Sequence, residues 1–408
     1  MQVEGTKIEN VRVVAGSGAV LEHQDVELAD GRIAQILPTA NPGAGPDRTV
    51  LPGLINMHCH MTAPGGNDAG SLQPFRQQQE LGNDVQLLRT LGNALTLLLS
   101  GVTTARDCGS AGRVSQTVRD FIGGGAIAGP RIVSCGRVIT TSAGHGWQSG
   151  LRADDAGEVR KAVRQLVEEG VDAIKVAVTG GGGTPGSNVF AAQYSRDELE
   201  TLVREAHRLG KRVAAHANGT EGTRNAVLAG VDTIEHCGWM GTGGGLEVDE
   251  AVIEAMLEQG TIVVPTMTVW YRAAYDDLAR LSPDRRKMRA VREERTASWV
   301  KMYRRGVRFA TGPDTGVNDT YWEDTAHELE LMALHMKLSP LEAIRAATLD
   351  AAAGLGLDAE IGTVEPGKRA DLLVVHGDPT SDLGALRRVA AVYRDGALVV
   401  REGALLGP

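Results

Sequence analysis

Between residues 51 and 311 short apolar runs alternate with amphipathic stretches, and few folds can absorb that alternation. Strand-length runs joined by helix-length segments make parallel βα units, because parallel strands need a long crossover that covers a sheet face. Eight strand candidates fall at about 51–58, 102–107, 131–139, 173–178, 212–216, 233–236, 262–265 and 308–311. The stretches 155–169 and 196–209 repeat their apolar residues with the 3.6 period of a helix. Eight such units match a closed barrel, so the expected class is α/β, a (β/α)8 TIM-like barrel over residues 52–357.

The two ends read differently. Residues 11–14, 25–28 and 32–37 are strand-like, with Asp30-Gly31 as a hairpin turn. Residues 371–375, 390–393 and 397–400 repeat the character, with Asp395-Gly396 as the turn. Residues 1–51 and 358–408 are therefore expected to combine into one small β-sandwich domain.

Composition removes several function classes. The formal net charge is −9 and no basic run offsets it, so nucleic acid is not an expected partner. No apolar run reaches the ~20 residues of a membrane span. Met1-Gln2-Val3-Glu4-Gly5 lacks the basic-then-apolar order of a signal peptide. The chain reads as a cytoplasmic homo-oligomer acting on a small molecule. Cys59, Cys108, Cys135 and Cys237 form no Cys-x-x-Cys pair and read as free thiols.

Chemistry concentrates at the strand ends. Pro52-Gly53-Leu54-Ile55-Asn56-Met57-His58-Cys59-His60 is an apolar strand ending in His-x-His. Residues two apart in a strand share a face, so His58 and His60 can converge on one cation while Cys59 points elsewhere. His216 closes Val213-Ala214-Ala215, His236 closes Thr233-Ile234-Glu235, and Asp314 follows Phe309-Ala310-Thr311-Gly312-Pro313. Barrel active sites lie at these C-terminal ends. A single histidine there is more often structural; a set with an aspartate is harder to explain that way. Lys175 sits inside Ala173-Ile174-Lys175-Val176-Ala177. Either it snorkels outward, or it is buried and modified, as an N-carboxylated lysine whose carbamate oxygens bridge two cations.

The ordered set of His-x-His, Lys, His, His and Asp on successive strands resembles the binuclear amidohydrolase superfamily. Gly101-Val102-Thr103-Thr104-Ala105-Arg106-Asp107 and Glu365-Pro366-Gly367-Lys368-Arg369-Ala370-Asp371-Leu372 resemble its second strand and its return to the β domain. Glu205-Ala206-His207-Arg208-Leu209-Gly210, followed by 212–216, resembles its imidazolonepropionase-like and prolidase-like members. The resemblance implies two divalent cations, zinc by expectation. His58, His60 and Asp314 would bind one, His216 and His236 the other, with the CO2-derived carbamate of Lys175 as bridge. A shared hydroxide would be the nucleophile, and Asp314 the general base and then acid. Gly144-His145-Gly146 resembles a prolidase-like segment in which the histidine helps hold substrate, so His145 is a further catalytic or substrate-binding candidate. Tyr194 and Arg224 are candidates for substrate contact or plain surface residues.

Other features are set aside. Ala326-His327-Glu328-Leu329-Glu330-Leu331 lacks the second histidine of a zincin helix. His335 reads as an ordinary helix residue, His207 as facing outside the barrel, and His23 and His376 as β-domain residues. The run 180–186 lacks a phosphate-loop ending and reads as a mobile loop over the site. The charged stretch 272–295 reads as a solvated helical face. Residues 61–68 match no known specificity loop. The expected function is amide hydrolysis, of a dipeptide or N-acyl amino acid. The alternatives are a xenobiotic amide, urea, carbamate, lactone or phosphotriester. A non-catalytic scaffold is disfavoured because all six ligand positions are kept.

Overall fold

Two kinds of sheet divide the chain. The computed structural model describes residues 6–40, 42, 43, 45–66, 81–272, 279, 283–317 and 319–407. Residues 1–5, 67, 68, 273–278 and 280–282, which carried parts of the readings above, lie outside the described residues. At the N-terminus β1 (Thr6–Val14), β2 (Val20–Ala29) and β3 (Arg32–Pro38) form an antiparallel meander, and β4 (Arg48–Pro52) lies parallel to β1. Asp30 and Gly31, both at positive φ, make the turn between β2 and β3.

The α/β body follows. It contains β5 (Leu54–Cys59), α1 (Asn83–Leu99), β6 (Val102–Asp107), α2 (Val114–Gly123), β7 (Arg131–Ser134), β8 (Ile139–Thr140), β9 (Leu151–Arg152) and α3 (Ala156–Glu168). Then come β10 (Ala173–Ala177), α4 (Arg196–Arg208), β11 (Arg212–His216), α5 (Thr220–Leu228), β12 (Thr233–Glu235), α6 (Glu250–Gln259) and β13 (Ile262–Val264). The helices α7 (Met267–Tyr271), α8 (Pro283–Ala290), α9 (Arg292–Arg304), α10 (Thr325–Met336), α11 (Pro340–Ala346) and α12 (Leu349–Leu355) close it. Helix starts are chemically marked. Asp155 accepts from Gly157 N and Glu158 N ahead of α3, and Ser195 with Glu198 makes a capping box ahead of α4.

Strands β5, β6 and β7 are parallel, as are β10 through β13. Backbone hydrogen bonds join the two groups on both sides. Asp172 N donates to Ser134 O at 2.7 Å. Opposite, residues 308–311 lie between β13 and β5: Ala310 N donates to Val263 O at 2.9 Å, and Met57 N to Thr311 O at 2.9 Å. The segments thus follow one another in a ring, with helices such as α3 and α4 burying Val159, Val163, Leu166, Leu199 and Leu202 against it. Each such side chain contributes ~1.5–3 kcal/mol by burial. No helix among the described residues is long and apolar enough to cross a membrane.

Two strands differ from their sequence outlines. The run 51–58 is broken at Gly53: Pro52 ends β4 in the terminal sheet and Leu54 begins β5 in the ring. A Cβ at Gly53 would meet Thr103 Oγ1 at 2.1 Å, so only glycine lets the chain cross there. The run 131–139 is likewise divided into β7 and β8, with Gly136 at φ 60° between them.

The C-terminus returns as β14 (Leu372–His376), β15 (Val389–Arg394), β16 (Ala397–Arg401) and β17 (Ala404–Leu405). β14 lies antiparallel on β4, with Leu373 opposite Leu51, so both ends share one sheet of order β17-β16-β15-β14-β4-β1-β2-β3. The sheet curls, because Gly31 approaches Asp395 O although their hairpins lie toward opposite ends of that order. Ile8, Val26, Leu28 and Ile33 share a core with Leu372, Val374 and Tyr393. The other side, through Val14, Leu51, Leu373 and Val392, packs with Leu54, Leu97 and Leu98 of the α/β body.

Candidate metal centre

Strand alternation delivers His58 and His60 to the same place. Their Nε2 atoms lie 3.3 and 3.2 Å from Asp314 Oδ1. Cys59 turns away, its Sγ donating to Arg106 O at 3.2 Å. Asp314 stands beyond residues 308–311 with φ 59°, a left-handed conformation that aspartate tolerates better than most residues. The His236 ring centroid is 5.1 Å from that of His58 and 4.5 Å from that of His216. One possible ligand atom from each of His58, His236 and Asp314 lies within 4.8 Å of the others.

Lys175 joins this group from β10. Its register partner in β11 is Ala214, and Ala177 stands opposite His216, so Lys175 shares the face of His216 one alternation deeper. The residue is 2% exposed, and Nζ has no hydrogen-bond partner among the described residues. The outward, snorkelling alternative for this side chain is therefore not what the structure has.

Each ring is oriented by the nitrogen that faces away from the others. His58 Nδ1 is 2.8 Å from Glu235 Oε2, His60 Nδ1 is 3.2 Å from Gly109 O, and His236 Nδ1 is 2.8 Å from Thr266 Oγ1. In His58 and His236 an acceptor at Nδ1 leaves the lone pair on Nε2. His216 is reversed: its Nε2 is 3.1 Å from Gly180 O and 3.0 Å from the Asn218 amide, which leaves Nδ1.

Electrostatics suits a cation. Burial, reinforced by neighbouring positive groups, holds His58, His216 and His236 well below the ordinary imidazole value, so they are neutral donors. Burial works against ionisation of Asp314, but the hydrogen bond and charge of His60, itself raised by this carboxylate, outweigh it and hold the carboxyl below its ordinary value. Neutral imidazoles with an ionised carboxylate form the donor set a divalent ion takes. The orphaned Nζ of Lys175 is the piece that such a set still has to satisfy.

A charged pair supports His58. Glu235 Oε1 accepts from Arg106 Nη2 at 2.5 Å and from Thr233 Oγ1 at 2.6 Å, while Arg106 Nε donates to Met57 O at 2.8 Å. All of these side chains are buried. Sequence reading passed over Arg106, Glu235, Thr266 and Asn218. A buried Glu one residue before a strand-end histidine was the one available signal.

His145 is beside the cluster, its ring stacked on His216 at 4.3 Å and its Nδ1 3.0 Å from Thr184 Oγ1. Burial, then the positive groups around it, lowers it to about 4. The glycine-rich run packs on it: a Cβ at Gly181 would lie 2.4 Å from the His145 ring. Tyr194 is not brought into the group. It is core, and its hydroxyl donates to Ala153 O at 2.8 Å. Arg224 is half-exposed and paired with Asp249 at 2.6 Å. The residues set aside have ordinary roles. His207 pairs with Asp232, His23 contacts Asn10, His376 contacts Glu402, His327 pairs with Glu330, and His335 stacks on Tyr271. Of the charged stretch 272–295, Arg295 is buried under Trp270 rather than solvated. All four cysteines are free and buried.

A ring of βα units with a cation-ready histidine cluster at the strand ends defines a class, the barrel hydrolases. Residues 49–399 match the family model described as the amidohydrolase family, and the chain belongs to that family. It is an enzyme acting on carbon–nitrogen bonds, in a TIM-barrel-like fold with an additional domain. An ochratoxinase of Aspergillus niger is 29% identical over 392 residues, covering 88% of this chain and 77% of the relative. A solved Xaa-Pro dipeptidase with methionine bound in its active site superposes with a TM-score of 0.84 at 29% identity, covering 97% of this chain and 99% of that one. A prolidase complexed with N-methylphosphonate-L-proline does so at 0.82 and 28% identity, covering 97% and 100%.

Proposed function

We propose that this chain hydrolyses the amide bond of a dipeptide or an N-acyl amino acid, using two divalent cations, zinc by preference. The observation that carries the reading is the buried, unpartnered Lys175 Nζ beside His58, His216 and His236, which burial keeps neutral. An ammonium there would repel cations. Addition of Nζ to CO2 forms an N–C bond, releases a proton and turns the side chain into an anion with two oxygens. His58, His60 and Asp314 would hold one cation, His216 and His236 the other, and the Lys175 carbamate both. Such cations supply an activated water and polarise the scissile carbonyl.

The chain's own residues do the rest. Asp314, ionised at neutral pH, accepts the proton of the attacking water and returns it to the leaving nitrogen. His145, its ring stacked on His216 and its Nδ1 engaged by Thr184, stands beside the cluster as a substrate-holding group. Tyr194 and Arg224 take no part, being engaged elsewhere. The substrate class is supported by the dipeptidase and the proline-phosphonate complex among the similar structures.

Elemental analysis after growth with added zinc and bicarbonate should find close to two divalent ions per chain. Metal-loaded enzyme should turn over members of a Xaa-Pro dipeptide and N-acyl amino acid panel, and Asp314→Asn should lower kcat by ~10²–10⁴-fold. No bound metal, or a D314N variant with near-normal kcat, would sink the reading.

A further inference from the structure

Glu328 is a buried carboxylate on α10 that the reaction outlined above does not use. It caps a helix to which it is not attached. Helix α7 begins after Thr266, which makes no side-chain cap of its own. Glu328 Oε1 accepts from Met267 N at 2.6 Å, and Oε2 from Thr268 N and Thr268 Oγ1, both at 2.7 Å. These are the first two backbone donors of the helix, which have no partner inside it.

The capped turn carries Thr266. Its φ of 53° is left-handed, a strained choice for a β-branched residue, which persists only where its surroundings enforce it. Its hydroxyl has one proton, and it donates that proton to Pro265 O at 2.8 Å. The contact of 2.8 Å with His236 Nδ1 must then run the other way: the ring donates its Nδ1–H and Thr266 Oγ1 accepts. That fixes the tautomer of His236 with its proton on Nδ1 and its lone pair on Nε2.

We infer that Glu328 is a positioning residue for the metal site, acting through the left-handed Thr266 to set the tautomer and aim of His236. The chain of contacts is Glu328 to Met267 and Thr268, Thr266 to Pro265, and Thr266 to His236. This rests on His236 being a metal ligand, as proposed above. It makes the cation on the β11–β12 side depend on a residue from α10, far along the sequence.

The test is metal affinity, read by chelator competition on purified protein loaded with zinc, alongside the melting temperature. Outer contacts of this kind typically change metal affinity ~10–100-fold. Glu328→Gln, which turns an amide N–H toward backbone N–H donors, and Thr266→Val, which removes the hydroxyl while keeping the shape, should each weaken one of the two zinc ions by that factor. Thr266→Ser should restore it. The double variant should lose no more than the larger single loss, because both act along one path. If E328Q lowers the melting temperature but binds both ions like the wild type, Glu328 is only structural and the inference fails. Should E328Q not fold, T266V with unchanged affinities would overturn it equally. Wild-type protein that binds no metal at all would instead refute the functional reading and take this inference with it.

Discussion

The two halves of the candidate centre are held in different ways. On the β5 side, His58 leans on Glu235, which is itself paired with the Arg106 guanidinium at 2.5 Å. On the β11–β12 side, His216 and His236 lean on a backbone carbonyl, an amide and a hydroxyl. The carboxylate behind that second half, Glu328, faces backbone N–H groups and a hydroxyl rather than a cation. Charge-assisted hydrogen bonds are roughly twice as strong as neutral ones. The contrast implies a rigid half, built into the barrel interior by an ion pair, and a half whose geometry is set by turns between strands and helices.

The widest break in that contrast should come from Lys175, which belongs to neither half. Lys175→Ala should remove most activity and lower the affinity for both ions, because the proposed bridging oxygens disappear. Added short carboxylic acids such as acetate should restore part of the activity by supplying two oxygens to the same space. Metal content and kcat measured with and without acetate decide it. A K175A variant that keeps both metals and full activity would mean the halves need no bridge.

The next effect is confined to the rigid half. Glu235→Gln leaves the Arg106 guanidinium buried without its counter-charge, and breaking a buried pair from one side costs ~3–5 kcal/mol. Denaturant unfolding should show that loss, and His58 should lose the acceptor that fixes its ring. A loss below ~1 kcal/mol would show that Thr233 and Met57 O satisfy Arg106 on their own, and the halves would then not differ in rigidity.

What was legible in the sequence follows the same division. The spacing of His58 and His60 could be read because β5 alternates without interruption up to Cys59. Lys175 could be read because a lone cation inside an apolar strand is conspicuous. The alternation fails at β12. Thr233 and Glu235 share the face that reaches Arg106 and His58, so strict period two would send His236 the other way. A φ of 69° at His236 turns it back, and no local pattern announces a left-handed histidine. The roles of Thr266 and Glu328 were invisible for another reason: each acts across a contact that only the fold creates, Thr266 with His236 and Glu328 with Met267 and Thr268. Gly53 hid the end of one sheet and the start of another inside one apolar run, because the constraint, Thr103, is fifty residues away. Tyr194 looked like a substrate contact only because its burial against Ala153 is a tertiary fact.

The smallest expected effect isolates the second half by pH. Burial, with Asp324 adding to it, raises the Glu328 carboxyl to about 7 against an ordinary value of 4.5. Its acidity is thus weakened in the folded state relative to the unfolded chain. Below about 4.5 both states hold the proton and the folded state suffers no penalty. Between about 4.5 and 7 the unfolded chain releases its proton while the folded one retains it, so stability falls as pH rises through that window. The contribution is at most about 3.5 kcal/mol, since each pKa unit corresponds to ~1.4 kcal/mol. Melting temperatures of wild type and Glu328→Gln, taken from pH 4.5 to 8, should therefore differ by an amount that depends on pH, with wild type losing ground up to about pH 7 and the difference levelling off above it. Parallel curves would mean that Glu328 keeps its charge throughout, held by its three hydrogen bonds, and the contrast between the two halves would lie in geometry alone.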